Sequence, residues 1–176
     1  NGLYENTIII FAGDNGLAVG QHGLMGKQNV YEHSVGVPLM IKAAAQHTGK
    51  KTADLCYLID VFPTLCDMLQ LPVPQSVDGI SLLSSLDGKE PVRDYLYYSY
   101  MDNQRGISDG TWKLIEYHVN GKRTTQLFNL KNDPWERNDL SGQKKYEKTI
   151  QRLREKMAEE QKRTNDTSVF WNNFNY

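Results

Sequence analysis

The pattern of apolar and polar positions divides the chain into two parts with different architectures. Apolar runs at residues 7–11 and 39–43 predict two short strands. The first run is rich in β-branched residues, which is typical of a strand buried on both faces of a parallel sheet. Apolar residues spaced by three and four in residues 61–69 predict a helix that packs on the sheet, with Asp60 as its N-cap. The proline-containing loop at residues 71–79 is the predicted domain boundary.

The second part, residues 80–176, is predicted to be a smaller α+β domain that follows the first domain, residues 1–79. An aromatic run at residues 95–101 predicts a strand. The dipeptides Asp109-Gly110 and Asn120-Gly121 predict two hairpins with type I′ turns, which completes a four-stranded antiparallel meander. Three apolar side chains are expected on its covered face: Trp112, Leu114 and Tyr117.

An amphipathic helix is predicted for residues 144–163, where it covers one face of the meander. Its apolar stripe is formed by Tyr146, Ile150, Leu153 and Met157. Residues 169–176 are polar with interspersed aromatic residues and are predicted to form a tail that lies on a surface groove. His47, in a predicted loop, has no clustered partner and is expected to face solvent.

Composition limits the classes of function. The 176 residues are 39% hydrophobic and 23% charged with a net charge of -1, as in an ordinary soluble protein. No basic stripe and no run of eighteen apolar residues is present, so neither a nucleic-acid partner nor a membrane span is expected. Cys56 and Cys66 lie in apolar stretches and are expected to be free. The chain starts at Asn1 without a leader, and we expect it to be part of a longer protein.

Candidate chemistry begins directly after the first predicted strand, at Asp14-Asn15-Gly16. A carboxylate and an amide oxygen are hard ligands of the kind that Ca²⁺ or Mg²⁺ takes, although a hard cation needs about six oxygens. An EF-hand is excluded, because Gly16 and Ala18 offer no side-chain oxygen at the required positions. The alternative is a simple turn, since Asp and Asn bond their own backbone and Gly accepts a positive φ.

A histidine and a lysine follow in a glycine-rich stretch. His22 lies between Gly20-Gln21 and Gly23, and Lys27 follows Gly26. Flanking glycines let the backbone approach a ligand, and a lysine ammonium suits an oxyanion such as sulfate or phosphate. The alternative for Lys27 is a solvated side chain.

These residues, in this order, resemble the C-terminal portion of the sulfatases of the alkaline phosphatase superfamily. The resemblance implies that Asp14 and Asn15 provide two ligands of a bound Ca²⁺, or of Mg²⁺ as the alternative. It implies that Lys27 contacts the sulfate group and that His22 contacts the substrate or the sulfate. The implied fold is the C-terminal part of a sulfatase-like α/β sandwich, followed by a small four-stranded antiparallel sheet packed with a C-terminal helix.

The resemblance continues along the chain, with one departure. The later matches are Trp112-Lys113-Leu114-Ile115, Gln126-Leu127-Phe128-Asn129-Leu130 and Asn132-Asp133-Pro134-x-Glu136. Many sulfatases have Arg before the Val-Pro pair, where this chain has Gly36. An ion pair between that position and Glu32 is therefore missing, which leaves the role of Glu32 structural or unknown.

The family's nucleophile is a formylglycine made from Cys in a Cys-x-Pro/Ala-x-Arg motif, and neither Cys56 nor Cys66 stands in one. The resemblance therefore implies a sulfuric ester hydrolase whose missing N-terminal part supplies the formylglycine, while the fragment alone is inactive. A sulfated small molecule or saccharide is the implied substrate, in the periplasm, the lysosome or secretions. The alternatives are a phosphonate or phosphodiester hydrolase of the same superfamily, and a non-catalytic domain that binds a cation or a partner.

Overall fold

The computed structural model describes residues 2–43 and 49–168, which belong to two compact units. The first unit comprises Asn1–Asp14 and Val37–Asp94, and the second comprises Asn15–Gly36 and Tyr95–Tyr176. The predicted domain boundary at residue 79 stays a prediction. The predictions for His47 and for residues 169–176 lie outside the described residues.

The described chain is a mixture of short strands and helices. Strands β1 to β8 are Ile9–Ala12, Ala18–Val19, Met25–Gly26, Leu39–Lys42, Leu96–Tyr100, Gln104–Ser108, Trp112–Val119 and Lys122–Asn129. Helices α1 to α4 are Glu32–Val35, Val61–Met68, Leu83–Leu86 and Glu147–Arg163. Short 3-10 turns occupy Tyr4–Asn6, Gln21–Gly23, Leu58–Asp60 and Lys144–Tyr146. The strands pair as β1-β4, β2-β3 and β5-β6-β7-β8.

In the first unit, the two predicted strands form β1 and β4, but the pairing expected for β1 is wrong. β1 pairs antiparallel with β4, with Ile10 opposite Ile41. Phe11 keeps 58% of its surface exposed to solvent, so the described residues do not bury this strand on both faces. The apolar run indicated that both faces of β1 are apolar. Apolar faces do not determine whether the neighbouring strand runs parallel or antiparallel, which is why the prediction failed.

Asp60 precedes α2 as predicted, but its carboxylate does not cap the helix. Its two oxygens accept hydrogen bonds from the backbone N–H of Tyr57 at 2.7 Å and of Ile80 at 2.8 Å. The guanidinium of Arg93 binds the same carboxylate through both of its terminal nitrogens. Burial raises the pKa of Asp60, but these hydrogen bonds outweigh burial and hold the pKa below its usual range. Asp60 thus joins three separate segments of the first unit.

The four-stranded meander of the second unit is confirmed, and both of its faces are covered. One face packs on α4, where Ile150, Leu153 and Met157 of the predicted stripe are buried. Each such buried side chain stabilises the fold by about 1.5–3 kcal/mol. Trp112 and Leu114 belong to this face, and the opposite face is covered by Val30 and Tyr31. The core of this unit therefore consists of two layers separated by the sheet.

Two details of the predicted meander are wrong. Tyr117 packs on the face opposite to Leu114, because side chains three positions apart on a strand point to opposite faces. The Asn120-Gly121 turn has positive φ at both residues, 52° and 74°, as a type I′ turn requires. At Asp109-Gly110 only Gly110 has a positive φ, and the Asp109 carboxylate instead accepts from the backbone N–H groups of Thr111 and Trp112.

Two further observations concern the cysteines and the membrane. Cys66 is buried in the first unit and Cys56 is half-buried, and both are free thiols. Among the described helices, none combines the length and the apolarity that crossing a bilayer requires.

Candidate functional site

The segment after β1 is shaped by a close approach of backbones. Gly16 donates its backbone N–H to Ser34 O at 2.9 Å, and a Cβ at position 16 would lie only 2.0 Å from His33 O. Glycine is thus required here for space rather than for a positive φ, which corrects the simple-turn interpretation. Asn15 is half-buried beside it, and its Nδ2 donates to Gly16 O at 2.9 Å. Asp14, the preceding residue, is exposed at the end of the first unit.

Lys27 and Asn15, which sequence reasoning selected independently, lie in contact. The Lys27 ammonium donates a hydrogen bond to Asn15 Oδ1 at 2.8 Å. The two residues are twelve positions apart and are connected through the β2-β3 ribbon, in which Ala18 stands opposite Gly26. The ribbon returns the chain toward its start, and this return brings the lysine to the amide. Lys27 is otherwise exposed, so its charge is accessible to an incoming anion.

His22 belongs to a separate group of rings within the same unit. Its imidazole stacks on the Tyr31 ring with a centroid distance of 4.0 Å and an interplanar angle of 3°. His33 lies 5.5 Å from His22 and 5.6 Å from Tyr31. The backbone φ of His22 is 53°, in the left-handed region that non-glycine residues rarely adopt. A strained backbone of this kind persists only when the surrounding contacts hold it.

The tautomer of His22 follows from one hydrogen bond. His22 Nε2 lies 3.2 Å from Trp135 O, and a carbonyl oxygen only accepts. Nε2 therefore carries the proton, which leaves Nδ1 as the acceptor of the neutral ring. Burial, His22 and Lys113 all lower the pKa of His33, which keeps this second ring neutral at pH 7. His33 Nε2 is buried without a hydrogen-bond partner in the described parts of the chain.

A buried ion cluster, formed by Lys113, Glu32 and Glu136, holds the start of α1. The Lys113 ammonium lies 2.7 Å from Glu32 Oε1 and 3.1 Å from Glu136 Oε1. Glu136 Oε2 also accepts from the backbone N–H of Glu32 at 2.6 Å. Lys113 is fully buried and Glu136 is 1% exposed, so solvent screens this pair little, whereas the Glu32 side chain is 31% exposed. Burial raises the pKa of Glu136, although the charge of Lys113 opposes this rise.

The cluster also explains the departure at Gly36. Glu32 takes Lys113 as its cationic partner, in place of an arginine at position 36. A Cβ on Gly36 would lie 2.9 Å from both Glu32 O and Glu32 Oε2, so the carboxylate occupies space that a side chain there would need. These contacts of Glu32 favour the structural role over an unknown one.

Sequence reasoning did not assign site roles to several residues around His22. Lys113 and Glu136 were recognised only as parts of motifs, and His33, Trp135 and Arg137 were not singled out. A tryptophan two residues before an arginine, in a loop that also carries a family motif, is the signal available in the sequence. No group of three or more His, Cys, Asp or Glu residues within residues 2–43 and 49–168 could hold a metal ion.

Comparisons with known proteins identify the family of the chain. Residues 20–163 match the family "N-sulphoglucosamine sulphohydrolase, C-terminal". An N-acetylglucosamine-6-O-sulfatase of Bacteroides thetaiotaomicron is 30% identical over 178 residues, which cover 94% of this chain and 32% of the relative. The chain thus spans about a third of the length of the curated relatives it matches.

Solved structures are similar over nearly the whole chain. A structure described as a complex with its substrate D-glucosamine-2-N,6-O-disulfate has a TM-score of 0.84 and 28% identity, and the match covers 97% of this chain and 37% of that one. A phosphonate monoester hydrolase of Agrobacterium radiobacter has a TM-score of 0.73 and 26% identity, with coverage of 90% and 35%. The predicted sulfatase-like fold, with its four-stranded antiparallel sheet and C-terminal helix, is therefore confirmed.

Proposed function

The chain belongs to the sulfatase family, of which it is a C-terminal portion, and from this premise we propose that it completes the active site of an enzyme that hydrolyses sulfate esters. In this proposal an upstream part of the same protein supplies the formylglycine nucleophile. We call the protein that joins both parts the full-length enzyme. The observation that carries the proposal is the 2.8 Å hydrogen bond between Lys27 and Asn15.

Lys27 provides the charge that the reaction needs. When sulfur is attacked, negative charge is carried by the equatorial oxygens of the transferring group, and a preorganised ammonium stabilises that charge. The ribbon β2-β3 and the Asn15 amide hold Lys27 before any substrate arrives. Little reorganisation is then required when the charge develops.

Asp14 and Asn15 would provide two ligands for a divalent cation, Ca²⁺ or in its place Mg²⁺. Their carboxylate and amide oxygens are the donor types that such ions prefer, so the residues fit in chemistry although two oxygens are too few. When bound, the cation would act as a Lewis acid on the sulfate oxygens. This chain's own contribution is to present Asn15 Oδ1, which a hydrogen bond from Lys27 and the adjoining Gly16 already orient.

His22 would contact the bound substrate through Nδ1, because Nε2 is bonded to Trp135 O. Because Nε2 donates to Trp135 O, a neutral His22 offers Nδ1 as an acceptor for a substrate hydroxyl. A protonated ring would instead donate from Nδ1 to a sulfate oxygen. The stacking of His22 on Tyr31 fixes the plane in which either contact forms.

We expect Asp14→Ala in the full-length enzyme to lower the affinity for the cation and to leave the stability of the fold unchanged. Losing a charged ligand lowers metal affinity, so activity should fall at limiting Ca²⁺ and return in part as Ca²⁺ is raised. Asp14 is exposed, so its removal should change stability by less than about 0.5 kcal/mol. A Ca²⁺ titration of kcat for both proteins makes the measurement, and Asp67→Ala, at an exposed aspartate of the same unit, is the control. An unchanged Ca²⁺ requirement would contradict the assignment.

The 176-residue chain by itself is expected to hydrolyse no aryl sulfate and to bind Ca²⁺ weakly. Neither cysteine lies in a formylglycine motif, and about four oxygen ligands are lacking. An aryl sulfate assay and a calorimetric Ca²⁺ titration of the purified chain make the measurement. Turnover that survives Lys27→Ala, or micromolar Ca²⁺ affinity, would show that the chain is more complete than proposed.

A phosphonate monoester hydrolase is the second candidate, because one such enzyme shares the fold at 26% identity. Sulfate and phosphonate esters are alike in shape, and Lys27 would serve either anion. The ratio of kcat/KM for aryl sulfates and aryl phosphonates, measured on the full-length enzyme, separates the two proposals. A ratio above one favours the sulfatase, and a ratio below one favours the phosphonate hydrolase. If neither ester is hydrolysed, the remaining alternative is a non-catalytic domain that binds a cation or a partner.

A sulfated saccharide is the proposed substrate class. Support comes from the relative named as an N-acetylglucosamine-6-O-sulfatase and from the structure described with a disulfated glucosamine. The proposal that the enzyme acts in the periplasm, the lysosome or secretions rests on the family resemblance alone.

A further inference from the structure

The second unit contains an open cleft beside the His22 stack. Its volume is about 490 Å³, and it is lined by Gln21, His22, His33, Trp135, Glu136 and Arg137. We call it the histidine cleft. Neither Lys27 nor Asn15 lines it, and His22 is the only lining residue among those assigned to the reaction. Its volume is in the range of small-molecule sites in proteins.

The loop that forms one wall of the histidine cleft is firmly anchored. Glu136 is 1% exposed and has a positive φ of 54°. Its carboxylate is held by Lys113 and by the backbone N–H of Glu32. The two residues next to it, Trp135 and Arg137, are both exposed. A buried anchor therefore presents two exposed side chains on a backbone that cannot easily move.

Trp135 offers a surface for a ring. The residue is 64% exposed, although tryptophan is one of the most costly side chains to leave in water. Its backbone carbonyl holds His22 Nε2, so the tryptophan is tied to the opposite wall. A large exposed aromatic in a fixed position is typical of binding sites for ligands with an apolar face and polar edges.

Arg137 and His33 add polar recognition. The Arg137 guanidinium forms no ion pair with a carboxylate in the described residues. Arg137 lowers the pKa of Asp133 through its backbone N–H and through its charge. A guanidinium binds carboxylate or sulfate through two parallel hydrogen bonds. His33 Nε2 is buried without a partner among the described atoms, and a ligand hydroxyl would satisfy it.

We propose that the histidine cleft binds an acidic pyranose ring of the substrate, with Trp135 against the ring face and Arg137 on its carboxylate or sulfate. This acidic group is distinct from the sulfate ester that is cleaved. The inference rests on the proposed function, because it assigns the cleft to the saccharide part of that substrate. It makes Trp135 and Arg137 specificity residues that act on binding and leave the bond-breaking step unchanged.

The kinetic test compares three substrates in the full-length enzyme. They are 4-methylumbelliferyl sulfate, a disaccharide of glucuronic acid and N-acetylglucosamine 6-sulfate, and the carboxyl-reduced form of that disaccharide. Arg137→Gln should raise KM for the acidic disaccharide about tenfold, which is the usual effect of losing one charge-assisted contact. KM for the other two substrates should change less than about twofold. Trp135→Ala should raise KM for both disaccharides and leave the aryl sulfate unchanged.

Arg123→Gln, at an exposed arginine outside the histidine cleft, is the matched control and should change no KM. Both cleft residues are exposed, so the thermal unfolding midpoint of each variant should stay at the wild-type value. Equal changes of KM for the aryl and the saccharide substrates would show a general structural role and overturn the proposal. No change for the acidic disaccharide would overturn it as well.

A binding experiment separates this inference from the proposed function. The desulfated acidic disaccharide is titrated by calorimetry into the wild-type enzyme and into Arg137→Gln. Binding by the wild type that weakens about tenfold in the variant supports the cleft even if no sulfate ester is turned over. Sulfate ester turnover without any disaccharide binding would leave the proposed function intact and overturn the cleft assignment.

Discussion

Replacing Lys27 with alanine in the full-length enzyme is expected to lower kcat for its best sulfate ester about a hundredfold or more. Losing one preorganised charge contact to a transition state costs roughly 3 kcal/mol. The fold should be unaffected, because Lys27 is exposed and its ammonium bonds to the half-buried Asn15 at the surface. We expect the free energy of unfolding to change by less than about 0.5 kcal/mol. Steady-state kinetics and urea unfolding together make the measurement.

The control for this variant is Lys131→Ala, which removes an exposed lysine of the same unit. It should leave both kcat and stability at wild-type values. Near wild-type kinetics for Lys27→Ala would show that this lysine does not serve the sulfate group. A parallel loss of stability and activity would show instead that the Lys27–Asn15 contact is needed mainly for the fold.

Replacing Lys113 with methionine should have the largest effect on stability, a loss of about 3–5 kcal/mol. The variant leaves Glu32 and Glu136 without the cation between them, and Glu136 is 1% exposed. Removing one partner of a buried ion cluster leaves an uncompensated buried charge, which is far more costly than losing the attraction alone. Urea unfolding of the wild type and the variant at pH 7 measures the loss.

The pH dependence gives this prediction an independent check. Burial already raises the pKa of Glu136, and losing the charge of Lys113 should raise it further. A carboxyl whose folded pKa is raised contributes stability below its unfolded pKa and loses it as pH rises through the folded pKa. The loss in free energy of unfolding caused by Lys113→Met should therefore be largest at pH 7 and become smaller toward pH 5.

A double variant, Lys113→Met with Glu136→Gln, serves as the matched control. It removes the buried negative charge together with the cation and should recover part of the lost stability. A loss below about 1 kcal/mol for the single variant, or a deficit that does not depend on pH, would contradict a charged cluster at this position.

The local elements of the fold could be predicted from the sequence because their signals lie within a few residues. The spacing of Ile150, Leu153 and Met157 predicts one helix face whatever that face packs against. The Asn120-Gly121 turn is encoded by two residues that accept positive φ. The partner of β1 could not be predicted, because it depends on a neighbouring strand. The face of Tyr117 was predicted wrongly although it follows from the two-residue alternation within its own strand.

For the candidate site, too, the residue types could be predicted from the sequence, whereas most of their contacts could not. Asp14, Asn15, His22 and Lys27 could be selected from the sequence, because their chemical types follow one another within fourteen residues. The contact of Lys27 with Asn15 spans twelve positions, and a short ribbon is enough to form it. Their roles in binding a cation and a sulfate stay predictions.

Only the tertiary structure decided how His22 and Glu32 are held. Glu32 meets Lys113 across 81 positions, and His22 meets Trp135 across 113. Such pairs are set by how the sheet, α1 and the loop at Glu136 pack together, and no local pattern encodes them. The sequence therefore determined which side chains are available for chemistry, and packing decided which of them are paired, buried or exposed to a ligand.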